Sequence, residues 1–393
     1  MIKTQKIAEV LNRGVEQIYP SASALEKMLQ SGKKLRLYHG IDPTAPSLHL
    51  GHLIQLLKLK QFQELGHQVI VLLGDFTGMI GDPTDKAATR KPLNRAQVLE
   101  NLKCYKKQIG KVLDLKKTEI RFNSEWWDKM EMPTLIDWAS KLSASQLFQR
   151  DMFQERLKQG KEVHLHELLY PLFQGYDSVA LNVDLETGGS DQIFNMLVGR
   201  TLLKSEKKEK FVLATKLLAD PSGAKMGKTT NNAVNLDDNP NDMYGKVMSW
   251  PDELIVLGFE LCTDAPLTEV ANIKQELQAG KNPKLLKMRL ACRIIKLIHS
   301  ETDAISAEKN FKKVHEQKAA PDQIPEISVG AENELSLLEV LIKCKLAASK
   351  TDARRLISQG GIKINGLLAR DESDSVKKGM VIQKGKRHFV KIN

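Results

Sequence analysis

Two hydrophobic periods alternate along the chain. Leu35-Arg36-Leu37-Tyr38 alternates apolar with polar side chains, the period of a strand, and Gly40 and Pro43 end it. From Leu50 the period lengthens. Leu50, Leu53, Ile54, Leu57 and Phe62 mark one face of a helix that Gly66 stops. Val69-Ile70-Val71-Leu72-Leu73 is a short apolar run closed by Gly74, the pattern of a strand buried on both faces in a parallel sheet. Strand, helix and strand within about forty residues predict the first βαβ unit of a nucleotide-binding sheet. Farther on, Tyr170, Gln174 and Asp177 fall at helical spacing, so a helix there carries them on one face. A polar stripe in such an apolar segment needs partners. Near the C-terminus Ser349 and Asp352 predict a helix start, with Gly360-Gly361 as its end. Residues 362–369 read as strand, Asn365-Gly366 turn, strand. Residues 381–383 and 388–392 predict a second hairpin around Lys384-Gly385-Lys386.

The first helix begins with candidate chemistry. His49 and His52 sit three apart and share one face of its first turn. Backbone N–H groups and the helix dipole favour an anion there. Gly51 has no side chain, so a base or phosphate can approach the backbone. Far downstream, residues 225–229 read Lys-Met-Gly-Lys-Thr. The stretch from Gly223 to Thr229 has the look of a P-loop, but three residues separate its glycines where four are needed. The residues that follow it, Thr230-Asn231-Asn232, are poor helix formers. A loop carrying Lys225 and Lys228, hinged at Gly223 and Gly227, can instead fold over the β- and γ-phosphates. Two imidazoles and two lysines so arranged predict a device that holds a nucleoside triphosphate during attack at its α-phosphorus.

His49-Leu50-Gly51-His52 resembles the HIGH signature of class I aminoacyl-tRNA synthetases, and residues 225–229 resemble their KMSKS loop. Both depart from the consensus letters while keeping the catalytic groups. The stripe at 170–177 is similar to the tyrosine pocket of bacterial tyrosyl-tRNA synthetases. That resemblance implies that Asp177 and Tyr38 bind the substrate phenol, and that Tyr170, Gln174 and Asp82 bind its α-ammonium group. Gly188-Gly189-Ser190-Asp191-Gln192 resembles the ribose-binding segment of the family, and Asp42, Gly51, Gly189, Asp191 and Gln192 are assigned to ATP. His49, His52, Thr44, Lys225, Lys228 and Thr229 are expected to act on the phosphates, assisted by Lys86 and Arg90. The resemblance further implies a Rossmann-like parallel-sheet catalytic domain, Mg²⁺ arriving with ATP, a tRNA partner and a homodimer. Two rivals stay open: an adenylating ligase for another substrate, tryptophan first, and a non-catalytic RNA-binding protein of the same fold.

Composition changes the picture in three places. At 393 residues and 41 % hydrophobic, the chain can bury the cores of two or three domains. Its four cysteines, at 104, 262, 292 and 344, have no metal or redox spacing, so no zinc is expected and a reducing cytoplasm suits them. The N-terminus lacks the apolar core of a signal peptide, and no apolar run approaches membrane-spanning length. The charge is uneven: residues 336–393 carry 13 Lys and Arg against 5 Asp and Glu, eight of the net +11. This tail resembles the α-L RNA-binding module, a small α+β fold, with Lys350, Arg354, Arg355 and Lys363 as candidate phosphate contacts. The expected organisation is a helical lead-in at 1–29 and a catalytic domain at 30–215 with a helical insertion at about 90–165. A lysine-loop and helical domain follows at 216–325, then the RNA-binding domain at 335–393.

Overall fold

The computed structural model describes residues 2–84, 93–219, 233–315, 324, 326–327, 334–369, 371–385 and 388–393. Contacts divide the chain into two units, Met1–Ala304 and Ile305–Asn393.

Among the described residues of the first unit, six strands form one sheet: β1 (Val15–Tyr19), β2 (Arg36–Ile41), β3 (Gln68–Leu73), β4 (Thr118–Phe122), β5 (Leu185–Gly189) and β6 (Phe211–Thr215). Their order is β1-β6-β5-β2-β3-β4. The predicted unit is present: β2 pairs in parallel with β3, register Leu37 to Val69, and the Leu50–Glu64 helix connects them. Gly66 follows that helix with φ of 87°, a left-handed conformation that Gly adopts without strain. Leu37, Tyr38, Val69, Ile70 and Val71 are fully buried, as expected for central strands covered on both faces.

Two expectations are corrected at the edges of the sheet. The lead-in at 1–29 is not wholly helical. Between helices Ile2–Asn12 and Ala22–Gln30 lies β1, antiparallel to β6. The insertion at 90–165 is not wholly helical either, because β4 inside it pairs in parallel with β3. Both are edge strands with half-exposed side chains, and such strands lack the continuous apolar run that announces a central one. The helices between 240 and 298 belong to the first unit and do not form one of their own.

The second unit holds helices Leu337–Lys343 and Lys350–Ser358. Its strands are β7 (Glu326–Ile327), β8 (Glu334–Ser336), β9 (Ile362–Ile364), β10 (Leu367–Leu368), β11 (Ser375–Lys377), β12 (Val381–Lys384) and β13 (His388–Ile392). β9 and β10 form the predicted hairpin. Asn365 and Gly366 both take positive φ, 48° and 84°, as a two-residue Asn-Gly turn requires. β12 and β13 form the second. Leu337, Val340, Leu341, Ala353, Ile362 and Ile382 make a core of their own. A start at 335 comes too late, since β7 already pairs with β13. Two residues are too few to show a period. The Ser349 side chain accepts from Asp352 N as expected, but the Asp352 carboxylate turns to Ala348 N.

Candidate active site

A cavity of about 330 Å³ opens at the carboxyl ends of the parallel strands. It sits between β2 and β5, where the strand order reverses. Open α/β sheets bind ligands in that crevice. Strand β2 contributes Tyr38 and His39, the loop after it Asp42 and Thr44, strand β5 Glu186 and Gly189, and the Leu165–Ala180 helix Tyr170, Gln174 and Asp177. All three residues of the stripe face the cavity.

Asp177 lines it and is itself buried. Its Oδ1 accepts from the indole N–H of Trp126 and of Trp127, each at 2.8 Å, and its Oδ2 accepts from the Asn123 amide at 3.3 Å. Burial pushes this carboxyl up to about 8, against the pull of those three donors. Tyr38, mid-strand in β2, places its hydroxyl 3.0 Å from Ser178 Oγ. Tyr170 donates to Asp42 Oδ2 at 2.6 Å, and Thr77 donates to Asp42 Oδ1 at 2.7 Å. Asp42, assigned to ATP, therefore also orients a residue assigned to the amino acid. Burial raises its carboxyl to about 6. A Cβ on Gly74 would stand 2.0 Å from Asp42 Oδ1, so a glycine at the end of β3 makes room for that carboxylate. Asp82 accepts from Gln192 at 2.6 Å and from Thr84 N at 2.8 Å.

His49 and His52 form a reciprocal cap on the Leu50–Glu64 helix. His49 Nδ1 accepts from Gly51 N, and His52 Nδ1 accepts from His49 N, both at 3.1 Å. An Nδ1 that accepts leaves Nε2 as the donor of the ring. Gly51 has a second use here, because a Cβ on it would lie 2.8 Å from the His49 ring. The chain beyond the lysine loop is stitched to the same place: Leu50 N donates to Val234 O and Leu236 N to Leu48 O. Thr44, Gly51, Gly189, Asp191 and Gln192 line the cavity with the two histidines. Lys86, Arg90, Lys225, Lys228 and Thr229 lie outside the described residues.

Several residues escaped the sequence reading. Trp126 and Trp127 hold Asp177, and Glu186 accepts from Gln174 Nε2 at 2.9 Å. His39 lines the cavity with Nδ1 2.9 Å from Thr187 O, and burial lowers its pKa. The Trp-Trp pair carried a usable signal, since a buried indole N–H requires an acceptor. Four candidates lie in the second unit. Lys350 opens the Lys350–Ser358 helix, Arg354 bonds Glu372, Arg355 bonds Asp352 at 2.7 Å, and Lys363 is on β9.

Residues 30–316 match the family model of class I tRNA synthetases for tryptophan and tyrosine, and residues 316–392 match a tyrosine–tRNA ligase C-terminal domain. The chain is 43 % identical over 392 residues to a tyrosine–tRNA ligase of Moorella thermoacetica, covering 98 % of this chain and 95 % of the relative. The chain belongs to the tyrosine–tRNA ligase family. A tyrosine–tRNA ligase of Haemophilus influenzae is 44 % identical over 385 residues, 97 % of this chain and 95 % of that one. The family consists of ATP-dependent class I enzymes whose reaction is a two-step aminoacylation of tRNA. Solved structures with the same fold include a C-terminally truncated mitochondrial tyrosyl-tRNA synthetase of Coccidioides posadasii, TM-score 0.64 at 23 % identity, covering 78 % of this chain and 94 % of that one. Another is the tyrosyl-tRNA synthetase of Archaeoglobus fulgidus complexed with L-tyrosine, TM-score 0.61 at 20 % identity, covering 78 % and 99 %. Among the described residues no helix is long and apolar enough to cross a membrane.

Proposed function

We propose that the assigned side chains divide the work of joining L-tyrosine to tRNA(Tyr) as follows. Asp177 and Tyr38 take the substrate phenol, and Tyr170, Gln174 and Asp82 the ammonium group. The tyrosine carboxylate, an anion at neutral pH, attacks the ATP α-phosphorus without a general base. The enzyme's task is then to position the reactants and neutralise charge. Nε2 of His49 and of His52 donates to the phosphates, with Thr44 beside them. Asp191 accepts from the ribose while Gly51, Gly189 and Gln192 border the nucleotide. Lys225, Lys228, Thr229, Lys86 and Arg90 meet the departing pyrophosphate. A terminal ribose hydroxyl of tRNA then attacks the adenylate, with Lys350, Arg354, Arg355 and Lys363 holding tRNA phosphates.

The observation that carries this reading is the convergence of Tyr38, Tyr170, Gln174 and Asp177 with both histidines on one cavity. Mg²⁺ is proposed to arrive on ATP and to neutralise its phosphates. The acids Asp42, Asp82 and Asp177 already accept from protein donors, which suits an ion held through phosphate oxygens. A homodimer is proposed as well. Met132, Ile136 and Leu165 leave 67 %, 61 % and 71 % of their surface exposed, and a second copy would cover them. A sedimentation mass near the 44.1 kDa of one chain would refute the dimer. The function is tested by pyrophosphate exchange run with each of the twenty amino acids. Tyrosine alone should support exchange, and exchange with tryptophan instead would refute the assignment of the stripe.

A further inference from the structure

Under the amino-acid end of the cavity lies an ion pair that the proposed roles leave unused. Lys210, just before β6, and Glu186 on β5 are both fully buried and bonded to each other. The Lys210 ammonium also donates to Ser178 Oγ at 2.7 Å and to Met196 O at 3.1 Å, so all three of its protons are placed. Gly199 makes the space for it: a Cβ there would stand 2.5 Å from Lys210 Nζ and 2.6 Å from Ser178 Oγ. A buried ion pair is poor evidence for stability, because an apolar pair of similar volume often serves as well. Its value has to be sought in what hangs from it.

Two pocket residues hang from it. Glu186 Oε1 accepts from Gln174 Nε2 at 2.9 Å. Glu186 Oε2 accepts from Ser178 Oγ at 3.2 Å. Lysine can only donate and a carboxylate can only accept. Ser178 thus spends its one proton on Glu186, and Tyr38, 3.0 Å away, must donate to Ser178. Tyr38 can also donate to Gln174 O at 3.4 Å, again toward the protein. Every bond in the chain then has one direction. The Gln174 amide spends its NH₂ on Glu186 and keeps its oxygen for the cavity. The Tyr38 oxygen keeps its lone pairs for the cavity.

The geometry points to Lys210 as a positioning residue: through Glu186 and Ser178 it sets the polarity of the pocket wall, so that Gln174 presents an acceptor to the substrate ammonium and Tyr38 an acceptor to the substrate phenol. This rests on the proposed contact between Gln174 and the ammonium. Without the pair, the Gln174 amide is free to turn its NH₂ toward a cation, which repels it.

The test compares binding of L-tyrosine with binding of 3-(4-hydroxyphenyl)propionate, which lacks the ammonium, by equilibrium dialysis on the full chain. Both ligands keep the phenol, so any loss at Tyr38 is common to them, and Lys210→Met should weaken tyrosine by about 10–100-fold more than it weakens the propionate, the range for a bond to a charged group. If Lys210→Met does not fold, the apolar pair Glu186→Met with Lys210→Met is read in its place, with the same expectation. Equal losses for both ligands would mark a purely structural role and overturn the inference, as would no loss for either. Gln174→Ala separates the two layers of the argument. If that variant fails to distinguish the ligands, the ammonium contact itself is wrong. If it distinguishes them and the Lys210 variants do not, only the role of Lys210 falls.

Discussion

Asp177 accepts two indole N–H groups and an amide while shut away from water. A site built around a hydroxyl rejects the analogue that lacks it, and the discrimination of about 10⁵ against phenylalanine already known for a tyrosyl synthetase is taken over here as the reference. Asp177→Ala should collapse that ratio. An unchanged tyrosine-to-phenylalanine ratio of kcat/KM in the folded variant would remove Asp177 from the phenol site. The same residue carries a pH signature. Its folded pKa of about 8 lies above the ordinary value near 3.9, so the folded state holds a proton that the unfolded state releases. Stability from this group is therefore complete below about pH 4 and falls as pH rises toward 8. Burial raises Asp42 and Asp82 too, with the same sign. Asp177→Asn should remove only its own share, so the variant should gain on the parent between pH 5 and pH 8 in urea melts. A constant difference across that range would contradict the assigned shift.

The helix start at His49 joins structure to chemistry within one turn, since each ring caps with Nδ1 and lines the cavity. His49→Asn keeps a good cap and loses the Nε2 proposed to donate to the phosphates. Its stability should stay within about 0.5 kcal/mol of the parent. Its kcat for adenylate formation should fall about 10²–10³-fold with tyrosine KM little changed. An unaltered kcat would take His49 out of phosphate binding. Elements of this kind were legible in the chain because their signals are local. The apolar run of β3, the spacing of the Leu50–Glu64 helix, the stripe on the Leu165–Ala180 helix and the Asn365-Gly366 turn each need only neighbouring residues. β1, β4 and β7 were not legible, because short, half-exposed strands take their identity from partners elsewhere in the chain. The same holds inside the site. Tyr170, Gln174 and Asp177 share one helix face, whereas the pairing of Glu186 with Lys210, or of Trp126 with Asp177, exists only once the sheet is assembled.

At the scale of the whole chain, every residue assigned to adenylation lies before 230, while most of the net positive charge follows 335. A chain ending at His315 should keep near-normal pyrophosphate exchange and charge tRNA poorly. Its tRNA binding should also depend less steeply on salt, the logarithmic slope falling by about 0.7–0.9 for each phosphate that the protein no longer neutralises. Normal charging at physiological salt would deny the second unit its RNA role. The antiparallel edge of the first sheet has a consequence in time. β1 (Val15–Tyr19) leaves the ribosome long before its partner β6, which begins only at Phe211. At about 5–20 residues per second, the nascent chain waits on the order of 10–40 s before that partner exists. Throughout translation of this interval the first strand is an open ladder, available to chaperones and to other nascent chains, and its closure marks the moment when the sheet can be finished.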